Sequence, residues 1–151
     1  MNNVCQEVWG FLKKYLVVLF LLVLPLWGAT GGLAAIDRNV CVNGGFLNLD
    51  VDPREDRGRI MIPARPVVEA VGGFIKFDEG ARLATIDHKG KTITFTVGSW
   101  RYDVNGRPGI MDLPPSYVND RLLVPSTFFS AAMGLDTYIE GTHGDVVINS
   151  Q

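Results

Sequence analysis

The chain has 151 residues, a net charge of −2, 47% apolar and 20% charged residues. That is enough for one domain with a proper core, or two small ones, and is neither disordered nor strongly polar. The slightly acidic balance argues against nucleic acid as a partner, which needs a basic face.

The N-terminus stands apart. Lys13 and Lys14 precede an uncharged run of 22 residues, Tyr15 to Ile36, whose centre is continuously apolar and whose end is rich in glycine and alanine. Basic, apolar, then small is the order of a secretory signal, and Gly32-Leu33-Ala34 fits the small-x-small cleavage pattern. Residues 1–35 therefore read as a signal peptide, with residues 36–151 as the mature domain. The alternative is a retained membrane anchor, since residues 15–36 are long enough to span roughly 30 Å of hydrocarbon. Either way Asp37 onwards is expected outside the cytoplasm, secreted or tethered, touching membrane only through that segment. Cys5 lies in the leader, which leaves Cys41 alone in the mature chain, where its apolar alternation suggests a small buried residue.

Asn39–Asn43 is strand-like, and Asn43-Gly44-Gly45 predicts a hairpin, because Asn and Gly tolerate positive φ. Phe46–Leu49 is the returning strand, and Asp50–Gly58 a charged loop. Ile60–Ile62 is a short apolar strand. A helix follows near Arg65–Val71, with Pro63 and Pro66 near its start and Gly72 or Gly73 at its end. Phe74–Phe77, Arg82–Asp87 and Lys91–Val97 are the next strands. In the last, Ile93, Phe95 and Val97 alternate with three threonines, a period of two that predicts one buried face. Trp100–Val104 opens a second cycle, turned at Asn105-Gly106. A Pro114-Pro115 loop, a strand at Leu122–Val124, a helix ending at Gly134, and strands at Thr137–Ile139 and Asp145–Asn149 complete it.

Residues 42–89 overlay on 104–151 without a gap at an offset of 62, with ten of 48 pairs identical. Among them are Asn43/Asn105, Gly44/Gly106, Asp50/Asp112, Arg59/Arg121, Pro63/Pro125 and Gly72/Gly134, mostly turn-makers and helix boundaries. The expected fold is α+β: a duplicated small unit, antiparallel sheets wrapped around short helices, with one repeat near 40–101 and a truncated one near 102–151. The second copy has Thr127 where the first has Arg65, and Ala131 where it has Glu69. The missing counterpart of the Lys91–Val97 strand suggests an unpaired sheet edge there.

Several of these features resemble the copper amine oxidase N-terminal domain-like family of bacterial secreted and surface proteins. The pattern is carried by Val42-Asn43-Gly44, Asp50 and Pro53, Arg59 to Arg65, Glu69 to Gly72, Phe77-Asp78 and Ala84-Thr85-Ile86, and it covers about Val40 to Asn149. The resemblance implies a stalk-like antiparallel sheet around a helix, remote from the oxidase chemistry. It brings neither copper nor a quinone cofactor to this chain.

The residues themselves point the same way. His88 and His143 each sit in a glycine-containing turn and read as surface residues, too few for a copper or zinc site. The acidic loop Asp50–Asp56 fails the EF-hand template, with Arg54 and Glu55 at positions that need an oxygen ligand and glycine. No nucleophile elbow or phosphate loop is present. No catalytic residue, metal or cofactor is therefore expected. The candidates for ligand contact are aromatic: Trp100 and Tyr102, two apart on a strand, and Tyr117 in the proline loop. The competing expectation puts Trp100 in the core. Phe128 and Phe129 are adjacent on a helix, so one of them is expected to face outward. The functional expectation is a non-catalytic structural or binding module of the cell surface, with cell-wall polymer or another envelope protein as partner. Two alternatives stay open: an interaction module pairing through an open sheet edge, and a small extracellular enzyme or accessory subunit.

Overall fold

The computed structural model describes residues 38–141 and 144–150. The predicted leader, Cys5 and His143 lie outside them. The described residues are mostly β, with two short helical segments, in keeping with the expected sheets around short helices.

The strands are β1 (Val40–Val42), β2 (Gly45–Phe46), β3 (Arg54–Asp56), β4 (Arg59–Pro63), β5 (Phe74–Asp78), β6 (Leu83–His88), β7 (Lys91–Thr96), β8 (Arg101–Val104), β9 (Arg107–Ile110), β10 (Ser116–Val118), β11 (Arg121–Pro125), β12 (Asp136–Glu140) and β13 (Asp145–Asn149). Helix α1 is Ala64–Ala70, and a π-helical segment is Phe129–Met133. Three sheets result, in the orders β12-β13-β1-β2, β10-β11-β4-β3 and β5-β6-β7-β8-β9. All pairings are antiparallel except β1 with β13, which is parallel.

β4 and β11 form the middle of the second sheet, and each is buried along four consecutive residues. Alternate side chains explain this. Ile60, Ile62, Leu122 and Val124 enter the large core, while Met61 and Leu123 enter a small second cluster with Leu113 on the opposite face. A strand covered on both faces loses the polar alternation, so these segments read as unbroken apolar runs. The two strands pair about Ile62 opposite Val124, with Pro63 opposite Leu123 and Met61 opposite Pro125. Adding 62 to one member of each pair exchanges it with a member of the other, so this register is symmetric about its centre.

Helix α1 starts directly after Pro63, and Pro66 falls in its first turn, where its missing N–H costs little. It buries Ala64, Val67 and Val68, then stops at Gly72, whose φ of +80° suits glycine. The π-helical segment stops in the same way at Gly134. Phe128 and Phe129 are both fully buried, against the expectation that one would face outward. The segment sits at a junction of the core, where Phe128 meets Phe95 and Tyr102 edge-on at 5.1 and 5.8 Å and Phe129 meets Phe128 at 5.7 Å.

Three strands were not anticipated. β3, β9 and β10 are edge strands; β3 and β9 are largely exposed, which leaves no apolar alternation to reveal them, and β10 is too short at three residues to show one. The β5–β9 sheet crosses the boundary expected near residue 101, because β7 pairs with β8. β13 does not end in an open edge: it has β12 on one side and β1 on the other. The first strand of the fold occupies the position expected to be vacant.

Candidate cleft beside helix α1

A concavity lies between α1, β5 and the β10–β11 hairpin. It encloses about 430 Å³, with Arg65, Phe77, Glu79, Tyr117, Asp120 and Arg121 among its walls. A shallower continuation runs past Arg65 and Arg121 to Asn48, Asp50 and Glu69. The two stretches share Arg65, Pro66 and Arg121 and so form one groove.

Its position follows from the local sequence. Pro63 ends β4 and starts α1, which sets Arg65 and Glu69 one helical turn apart on an exposed face. Asn119 and Asp120, both at positive φ, turn β10 back into β11 and set Arg121 at the groove. Tyr117 leans over from β10 and stacks on Phe77 of β5, ring centroids 4.9 Å apart.

The charges in the groove are neutralised by neighbours. Arg121 Nε donates to Asp50 Oδ2 at 2.5 Å. That hydrogen bond holds the Asp50 carboxyl below its ordinary pKa and raises that of Arg121. Arg65 donates to Glu69 at 3.5 Å and to the Ile75 carbonyl at 3.4 Å. The Tyr117 hydroxyl donates to Glu79 at 3.3 Å. Burial raises the tyrosine's pKa first, and the carboxylates of Glu79 and Asp120 add to it. The Asp50–Arg121 pair has a partner 62 residues displaced at each end: Arg59 binds Asp112 at 2.5 Å. Both arginines and both aspartates are identical pairs in the gapless overlay, so this offset could have revealed the reciprocity.

Of the expected aromatic residues, only Tyr117 lines the groove. Tyr102 packs edge-on against Phe128 and covers Gly109, which leaves it at the margin of the core. Trp100 is 47% exposed and so lies outside the core, and the ring contacts of Tyr102 and Tyr117 among the described residues are with Phe128 and Phe77 instead. Phe77 completes the aromatic wall instead.

His88 departs further from expectation. It is 4% exposed rather than on the surface, and neither ring nitrogen has a hydrogen bond of ordinary geometry. Burial depresses its pKa, and Lys89 and Lys91 add to the effect, while the Val71 backbone weakly opposes it. Ala84, Ile86 and His88 are buried at alternate positions of β6, so the period of two already put His88 on the inner face. Cys41 is free and half-buried, flanked in its sheet by Val147 and Phe46. Carboxylates of the acidic loop go separately to arginines: Asp50 to Arg121, Glu55 to Arg38 at 2.7 Å, Asp56 to Arg57 at 3.4 Å. Among the described residues no three His, Cys, Asp or Glu side chains are grouped to hold a metal ion.

Comparison with curated proteins gives no match. The family model for the copper amine oxidase N-terminal domain matches residues 41–148, which takes in β1 through most of β13. That domain is not the catalytic domain of the oxidases for which it is named. With a match spanning most of its length, the chain belongs to the copper amine oxidase N-terminal domain family.

Proposed function

We propose that the chain is a non-catalytic binding module displayed outside the cytoplasm, and that the groove beside α1 takes a saccharide segment of a cell-wall polymer. The observation that carries this is the stack of Tyr117 on Phe77 within a groove whose walls also hold arginines and carboxylates. An aromatic face supports the apolar side of a sugar ring, and the flanking groups serve its hydroxyls as donors and acceptors. Because Arg121 and Asp50 already hold each other, the groove is pre-organised, which lowers the entropic cost of binding. The leader segment supports export. The enzyme alternative needs histidine, cysteine or paired carboxylates at one point; the groove lining contains neither histidine nor cysteine, and its carboxylates Asp50, Glu69 and Glu79 bond separately to Arg121, Arg65 and Tyr117.

The same reading holds that the domain arose by duplication of one unit. It is supported by the symmetric register of β4 with β11, by the reciprocal arginine–aspartate pairs, and by the offset of 62 between the starts of β3 and β10, β4 and β11, and β5 and β12.

Sedimentation with purified cell wall tests the binding. The chain is expected in the pellet, and Tyr117→Ala, checked to unfold at a similar urea concentration, is expected to remain largely in the supernatant. Retention no better than that of an unrelated acidic protein removes wall polymer as the ligand.

A further inference from the structure

Six strands form the edges of the three sheets: β12 and β2, β10 and β3, β5 and β9. An unprotected edge presents backbone donors and acceptors to any extended chain, and proteins blunt such edges with short strands, proline or covering groups. Five of the six are blunted. β2 has two residues, and β3 and β10 have three each. β9 contains Pro108, which has no N–H to offer. β5 is five residues long, but Arg65 reaches across from α1 to the Ile75 carbonyl, held by Glu69 one turn on.

Among the described residues β12 is neither short nor interrupted by proline, and the charged residues at its ends are the one protecting feature it carries. It runs for five residues, Asp136-Thr137-Tyr138-Ile139-Glu140, and among the described residues pairs on one side only, with β13. It is also the strand that lies 62 residues after β5. The positions corresponding to Arg65 and Glu69 are Thr127 and Ala131, and the Thr127 hydroxyl turns instead to Asp112 at 2.8 Å. The covering arm present over β5 is thus absent over β12. Tyr138 and Ile139 are 45% and 59% exposed, large apolar surface on a strand with an open side.

Charge decides the occupant. Asp136 and Glu140 flank the strand, and both are exposed. A second copy pairing antiparallel about Tyr138 sets Asp136 against Glu140 twice, and like charges directly opposite are destabilising. The same carboxylates favour a strand with cations at matching positions. We propose that β12 is a β-augmentation site for an extended peptide segment of a partner protein, with basic residues flanking an apolar centre. The backbone supplies the ladder, Tyr138 and Ile139 the apolar contact, and Asp136 and Glu140 the selectivity. This site stands independently of the groove beside α1.

The test uses the full chain and two labelled, terminally blocked pentapeptides, Lys-Val-Val-Thr-Lys and Glu-Val-Val-Thr-Glu. Fluorescence anisotropy should show the first binding about fivefold or more tightly than the second, because two cross-strand pairs change sign. Hydrogen exchange should slow in residues 136–140 on adding the basic peptide. Restoring the covering arm with Thr127→Arg and Ala131→Glu should weaken that binding while leaving the urea midpoint in place. Should that double variant not fold, Asp136→Lys with Glu140→Lys serves, and should reverse the preference between the peptides. Equal binding of both peptides, protection elsewhere than β12, or no binding by either overturns the proposal. So does a dimer in light scattering whose formation protects residues 136–140, which would make a second copy the occupant.

Discussion

Phe128 offers a direct test of how the core is joined. Its ring is 1% exposed and meets Phe95, Tyr102 and Phe129 in edge contacts, so it connects β7 and β8 to the π-helical segment. Truncation to alanine removes the transfer free energy of a whole ring and leaves a cavity that rigid neighbours only partly close. Such changes cost about 3–5 kcal/mol. Each edge contact is worth about 0.5–1.5 kcal/mol beyond buried area, and these overlap with the first figure rather than adding to it. The upper half of the range, near 4 kcal/mol, is therefore expected for Phe128→Ala. A domain has about 5–15 kcal/mol in total, so the variant keeps only part of its margin. Phe46→Ala is the matched control: the same atoms are removed from a ring that is 72% exposed, and the cost should stay within about 0.5 kcal/mol. Urea unfolding followed by far-ultraviolet circular dichroism gives both values, provided the slope m is unchanged. A Phe128→Ala cost below about 1.5 kcal/mol, or one no larger than that of Phe46→Ala, would refute Phe128 as the joint of the core.

Two further outcomes concern backbone and charge. At Gly73 an added Cβ would lie 2.9 Å from Val68 Cγ1 and 3.2 Å from the Asp87 carbonyl oxygen, so Gly73→Ala should destabilise by about 1–3 kcal/mol, read from the urea midpoint. An unchanged midpoint would mean that the α1–β5 junction yields more easily than its packing suggests. His88, its pKa held below the ordinary 6.5 chiefly by burial, takes up a proton less readily when folded than when unfolded. Its contribution to stability is thus complete above about pH 6.5 and declines as pH falls through that value towards the lower folded pKa. His88→Leu should flatten the dependence of the urea midpoint on pH between about 5 and 7.5, and an unchanged slope would assign it to other groups.

How much of this was legible in the sequence depended on whether the signal was local. β4, Pro63, α1 and Gly72 follow from neighbouring residues, and so does the alternating threonine face of β7. β3 and β10 were hidden because they owe their extended form to partners across the sheet, not to their own pattern. Phe128 and Phe129 were misjudged because two adjacent helical residues were assumed to diverge, whereas the buried stripe here is wide enough for both: Phe128, Phe129, Ala132 and Met133 face the core while Thr127, Ser130 and Ala131 face outward. For the groove, Tyr117 was anticipated but Phe77 was not, since a strand aromatic reads as core until a tyrosine is stacked on it. The bond between Asp50 and Arg121 spans 71 residues, beyond any window of local periodicity, and was recoverable only from the offset.

The parallel ladder of β1 with β13 sets the direction in which this body bears load. Val40 lies beside Val146 and Val42 beside Ile148, so both strands run the same way. A pull on the chain ahead of Val40 and another beyond Asn149 therefore act at opposite ends of the ladder. The inter-strand bonds are loaded together in shear instead of opening one after another from a free end. A domain held on one side and engaged on the other would meet tension along this ladder.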